Sequence, residues 1–303
     1  MKAGVLQELI DVKKEHYNAI LEEVVREIII VNNRVEASFH FIKYHDCRDR
    51  EEDFLKTLRS YIFYYCFPRN RYRNKSNSLE AGNLTWEARD KFFNPNDPSN
   101  TGELGEISLY FLLESYLNAP QIVSKMSLKT TAGENYKGSD GIHFGIHNNK
   151  KCLFYCESKL DKDRSDAFRN CINSILEFHK SKRDFEVSII RNNIDIQDPQ
   201  LRKAIIDFLD PTADKKDDWA EINACFVGYD WRKFAEVETE TDNHVLHEQL
   251  RKRLHSEIGD VKQYLAERIQ YPEVKQRFYF FVMPFKDIEN LRIKFMELLY
   301  GIK

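Results

Sequence analysis

The sequence predicts an α/β fold with a mixed sheet flanked by helices. Three observations carry that prediction. From Gly102 onward, helical and extended periodicities alternate in segments of ordinary length. The extended segments are apolar and rich in β-branched and aromatic residues. The chain of 303 residues is 42% hydrophobic yet holds only 11 Gly and 8 Pro, so it can bury a core and is not low-complexity.

Taken in order, residues 1–95 read as an N-terminal α+β region suited to partner or DNA contact. A helical start leads into the extended stretch REIIIVNNRVEASFHFIKY, followed by a helix with Phe54, Leu55, Leu58, Ile62 and Tyr65 on one face. PRNRYRNKSNS reads as a loop, and FFNPNDPSNTG, residues 92–102, concentrates Pro, Asn, Asp and Ser into the strongest linker signal of the chain. A boundary is therefore expected there, with a second domain over 96–303. That domain reads as helix 103–118, strands 121–129, 139–147 and 150–159, helix 164–182 and strand 185–192, an α-β-β-β-α-β order. A C-terminal α/β extension follows: a helix near 198–209, the strand INACFVGY, a long charged helix near 244–269, the strand RFYFFVMPF and a closing helix near 287–300. No repeat of fixed period is present.

Composition narrows the function classes. The formal net charge is −3, from 46 basic and 49 acidic residues, so the molecule is no polycation that would adhere to nucleic acid unaided. The N-terminus mixes acidic and basic residues where a signal peptide needs an apolar run, and no segment has the roughly 20 apolar residues that span a bilayer. A cytoplasmic location without membrane contact is expected. The six cysteines show no CxxC spacing and read as reduced core thiols, with Cys152 and Cys156 expected to pack against the helix of Phe168, Ile172 and Ile175.

The chemistry concentrates in GSDGIHFGIHNNKKCLFYCESKL, residues 138–160. An acidic-x-Lys triplet is weak alone: Asp11-Val-Lys13, Asp214-Lys-Lys216, Asp260-Val-Lys262 and Glu273-Val-Lys275 also fit. Glu157-Ser-Lys159 differs because it ends the apolar run CLFYC, and charges ending a buried strand need a reason. Side chains alternate along a strand, so Glu157 and Lys159 share a face. With Asn148-Asn149 as a two-residue turn, His147 faces Lys150, and counting outward sets Asp140 opposite Glu157. Two carboxylates so placed repel unless a cation lies between them, which points to Mg²⁺ or Mn²⁺ held by Asp140 and Glu157, with Lys159 as the catalytic cation. Phosphodiester hydrolysis is the natural reaction of such a set.

Other residues carry two readings each. Glu106, at the end of the apolar stripe of Leu109, Tyr110, Leu113 and Leu117, either completes the metal shell or, with Glu103, complements the helix N-terminus behind a cap at Asn100 or Thr101. Arg69, Arg71, Arg73 and Lys75, with Tyr72 among them, form either a phosphate-contacting strip with a stacking aromatic or a solvated basic loop. Ser127 and Lys129 lean toward a phosphate or end a solvated strand. His143 and His147 alternate onto the face away from Asp140, as ordinary polar or core residues. The long charged helix presents an exposed face or docks a partner.

The α-β-β-β-α-β order with GSDG and ESK resembles the PD-(D/E)xK, restriction-endonuclease-like nuclease superfamily, with Ser139 where its proline usually stands. More narrowly, GELGEISLYFLLE, KGSDGIHFGI and CESK are similar to the HamA family, the nuclease subunit of the Hachiman antiphage defence system, and to the related AbpA. The likeness covers about residues 102–200. It implies an effector that cuts DNA when a helicase partner of the HamB kind releases it. A nuclease-like binding or regulatory subunit without cleavage, or an RNase using the same site, stays open from sequence.

Overall fold

The computed structural model describes residues 3–29, 35–73, 78–92, 102–128, 138–213, 217–269 and 276–301. The chain opens with two short helices, α1 (Ala3–Gln7) and α2 (Lys14–Ile20), then β1 (Leu21–Ile29) and β2 (Val35–Ile42). A small ribbon of β3 (Tyr44–His45) and β4 (Arg48–Asp49) precedes α3 (Glu51–Ser60), α4 (Ile62–Cys66) and α5 (Ser78–Phe92). Next come α6 (Glu103–Ser115), β5 (Gln121–Val123), β6 (Ile142–His147), β7 (Lys150–Asp161) and α7 (Arg164–Glu177). The remainder is α8 (Arg183–Asn193), α9 (Pro199–Phe208), β8 (Trp219–Asp230), α10 (Phe234–Val237), α11 (Asn243–Ile269), β9 (Phe278–Phe285) and α12 (Ile288–Tyr300).

Seven strands form one mixed sheet in the order β1-β2-β9-β8-β7-β6-β5. The four central strands, β2, β9, β8 and β7, are mutually parallel, and the flanking pairings are antiparallel. This matches composition: every residue of FYFFVMPF in β9 is buried, as a strand covered on both faces requires. One face packs against α3, α4, α5, α6 and α12; the other is covered chiefly by α7 and α11. The β5–β6 edge is closed by α8 and α9 through Ile190, Leu201 and Ile205. Helix α11 keeps one stripe inside, Leu246, Leu250, Leu254, Ile258, Val261, Leu265 and Ile269, which is what gives a highly charged 27-residue helix a core to hold.

Three expectations change. Residues 185–192 are helical: Val187, Ile190 and Ile194 recur at helical spacing and are buried together, so the short apolar run VSII belongs to α8. The strand expected over 121–129 ends at Val123, and Lys125–Leu128 form a 3-10 turn; Lys129 lies outside the described residues. Cys152 and Cys156 face α6, whereas Phe168, Ile172 and Ile175 of α7 pack on Cys225 and Val227 of β8. The expected linker lies outside the described residues over 93–101; from either side of it β2 pairs with β9, and α3–α5 share one core with α6.

Candidate functional site

The hairpin turns where the sequence places it. Asn148 and Asn149 both take positive φ, 48° and 60°, and His147 pairs with Lys150. Asn tolerates that left-handed backbone better than most residues. The ladder then runs regularly to Ile142–Tyr155. Beyond it the register slips. The Asp140 N–H donates to Cys156 O at 2.8 Å, while the Cys156 N–H donates to Gly141 O at 3.0 Å. Asp140 is therefore not a regular partner of Glu157. Its carboxylate stands in for the missing strand: Oδ2 accepts the Ser158 N–H at 2.7 Å and the Ser158 Oγ–H at 2.8 Å.

Ser158 points toward α6, where Gly105 lets the helix approach; a Cβ at Gly105 would lie 2.9 Å from Ser158 Oγ. Glu157 and Lys159 point the other way, toward α7, as alternation requires. Lys159 Nζ donates to Glu157 Oε1 at 2.6 Å, and Ser174 of α7 also hydrogen-bonds the Glu157 carboxylate. Because β6 has ended, both sides of β7 open into one cleft of about 390 Å³. Asp140, Glu157, Lys159 and Glu106 all line it, with Glu103, Glu177, Lys125, Lys182 and Tyr65. The Tyr65 hydroxyl donates to Glu106 Oε2. Asn100 and Thr101 lie outside the described residues.

The electrostatics are those of crowded carboxylates. Burial, then the Asp140 charge, push the Glu157 carboxyl up to about 7, against the pull of Lys159. Lys159 moves upward: burial opposes its charge, but Glu157 and then Asp140 hold the proton on the amine. A carboxyl only 7% exposed beside a second acid is a place where added positive charge lowers the energy. Among the described residues no group of three or more His, Cys, Asp or Glu side chains is set to hold a metal ion; the acids that line the cleft are Asp140, Glu157, Glu106, Glu103 and Glu177.

His143 and His147 lie elsewhere. His143 is fully buried, its Nδ1–H donates to Ala119 O at 2.8 Å, and burial pushes it down to about 3, so it is neutral. His147 bonds Glu36 at 2.9 Å.

The basic strip is corrected at Arg69. Its side chain is inside, 5% exposed, bonded to Asp195 and to the carbonyls of Leu9 and Gln121, with Asp11 and Glu114 within ion-pair range. Three carboxylates and two carbonyls consume the guanidinium, so Arg69 is not available to phosphate. Arg71 forms a two-pronged pair with Glu87, Arg73 bonds Asp11, and the Tyr72 hydroxyl is also given to Asp11; Lys75 lies outside the described residues. Lys125 and Glu186, which sequence reading misses, meet beside the cleft. So do Glu177 and Lys182, five residues apart and paired at 3.0 Å because residues 178–182 form a π turn, which stacks i and i+5.

The fold and cleft define a class: a mixed α/β protein whose central sheet parts at one strand end to gather acids and lysines in a single opening. Within that class the assignment is specific, since the sequence model of the HamA family matches residues 17–299 and the chain belongs to the HamA family. The match spans the N-terminal strands and the C-terminal extension as well as the motif region. No curated protein matches the chain. Family membership fits a role in antiphage defence, within a Hachiman complex. Among the described residues no helix is long and apolar enough to cross a membrane.

Proposed function

We propose that this chain is a Mg²⁺- or Mn²⁺-dependent deoxyribonuclease of the PD-(D/E)xK kind, acting as the nuclease subunit of its defence system under the control of a helicase partner. One observation carries the reading: Asp140, Glu157 and Lys159 converge on one cleft where β6 leaves β7. The order α6-β5-β6-β7-α7, closed by β8 parallel to β7, supports it further.

The residues fit a small hard cation. Mg²⁺ keeps several waters and is commonly held by one or two carboxylates, so Asp140 and Glu157 suffice as protein ligands, with Glu106 as a helper. Bound there, it would supply charge to the scissile phosphate and the leaving oxygen and acidify a water. The chain's own side chains do the rest. Ser158 fixes the Asp140 carboxylate through two hydrogen bonds. Lys159, kept protonated by Glu157, acts as a fixed cation that orients the attacking water and stabilises charge developing on phosphate, rather than as a base. The P–O bond breaks as water adds to phosphorus, giving a phosphomonoester and a hydroxyl. A net charge of −3 supports dependence on a partner to bring DNA to the cleft.

The test is incubation of purified protein with supercoiled and linear plasmid in Mg²⁺ or Mn²⁺ against EDTA, beside the Glu157→Ala Lys159→Ala variant, alone and with the helicase partner and ATP. Metal-dependent cutting by wild type, reduced at least about 10²-fold in the variant, is expected. Silence under every condition would transfer the chain to the binding-subunit reading, and cutting of RNA alone to the RNase reading.

A further inference from the structure

Next to the cleft lies a buried ion pair that the reaction does not use. Lys125, on the 3-10 turn after β5, is 4% exposed, and Glu186, on α8, is 0% exposed. Lys125 Nζ donates to Glu186 Oε1 at 2.9 Å and to the carbonyl oxygen of Ser139. The Ser139 hydroxyl donates to the same Glu186 oxygen at 2.6 Å. Gly138 has φ +147°, and a Cβ there would collide with the Glu186 carboxylate and sit 2.7 Å from Lys125 Nζ. So the carbonyl and hydroxyl of Ser139 are held, and Gly138 is closely packed, by one cation and one anion contributed by different elements.

We infer that Lys125 and Glu186 are positioning residues, a clamp that holds the Gly138–Ser139 segment so that the Asp140 carboxylate reaches Ser158 and the cleft. A buried ion pair is seldom the most stable filling of a core, and an apolar pair of similar volume often serves stability as well or better. What an apolar pair cannot do is grip a serine hydroxyl and a carbonyl. The clamp also gives a purpose to the helical segment between α7 and β8: α8 brings Glu186 across the edge of the sheet to the strand-free end of β7. Where this bears on metal binding it rests on the nuclease reading above; the positioning of Asp140 does not.

The experiment compares wild type with Lys125→Met Glu186→Leu, which keeps the volume buried and removes the clamp, and with Ser139→Ala, which removes only the hydroxyl donor. Amide hydrogen exchange is read at Ser158, whose N–H is held by Asp140, and at Phe154, which pairs with His143 deeper in the ladder. Ser158 exchange is expected to accelerate at least about tenfold in the double variant, and less in Ser139→Ala, with Phe154 unchanged. Mn²⁺ affinity, followed by electron paramagnetic resonance, is expected to fall about 10–100-fold, the usual effect of losing an outer partner of a ligand. Unaltered Ser158 exchange in a folded double variant overturns the clamp, and unaltered exchange in Ser139→Ala does so if the double variant does not fold. Failure of wild type to bind Mn²⁺ would count against the nuclease reading alone, since the exchange readout needs no metal.

Discussion

At the scale of single residues, the cleft stores its chemistry in one carboxyl. Glu157 titrates near 7 in the folded chain and at about 4.5 in the unfolded one. Between those values the folded state binds the proton more tightly, so this group's contribution to stability falls as pH rises from about 4.5 to 7. Glutamine at 157 should therefore flatten the loss of thermal stability between pH 5 and pH 8. Titration calorimetry in two buffers of different ionisation enthalpy should show Mg²⁺ binding at pH 7 releasing about half a proton, with no such release in Glu157→Gln. A buffer-independent heat would mean the carboxyl is already ionised. Asp140 is placed only approximately by the Asn-Asn turn, since the ladder slips after Ile142, but the shared face of Glu157 and Lys159 is legible from sequence because strand alternation is a local rule. Arg69 is not, since three acids from residues 11, 114 and 195 converge on it only in the tertiary fold. Lys125 and Glu186, 61 residues apart, are hidden for the same reason.

At the scale of elements, the site depends on how closely α6 approaches β7. Gly105→Ala would put a methyl 2.9 Å from Ser158 Oγ and 3.0 Å from its Cβ, so helix and strand must part. A loss of about 1–3 kcal/mol is expected, read by urea unfolding, with cleavage impaired beyond the stability loss because Ser158 is what Asp140 holds. Wild-type activity in a destabilised Gly105→Ala protein would detach the helix from the site. Long periodic elements such as α6, α11 and β9 are readable in advance. The error at α8 is instructive: VSII is β-branched and short, and periodicity over four residues does not distinguish strand from helix. Only the spacing of Val187, Ile190 and Ile194, together with helix α7 running on through a π turn, decides it.

For the whole molecule, the sheet joins what composition separates. The linker signal near residue 95 is local chemistry and carries no information about pairing partners far along the chain. Since β2 lies against β9 and α3–α5 complete a core with α6, residues 96–303 alone should fail to unfold cooperatively and should expose apolar surface, measured by calorimetry and dye binding. A cooperative transition from that fragment would restore two independent domains. The parallel centre of the sheet has a further consequence in time. Among the described strands, β9 alone bridges β2 and β8 in the strand order, so a ribosome must translate past residue 285 before the two halves of the sheet can join. A chain cut short before that point therefore lacks the strand that joins β2 to β8, and its sheet stays in two separate pieces.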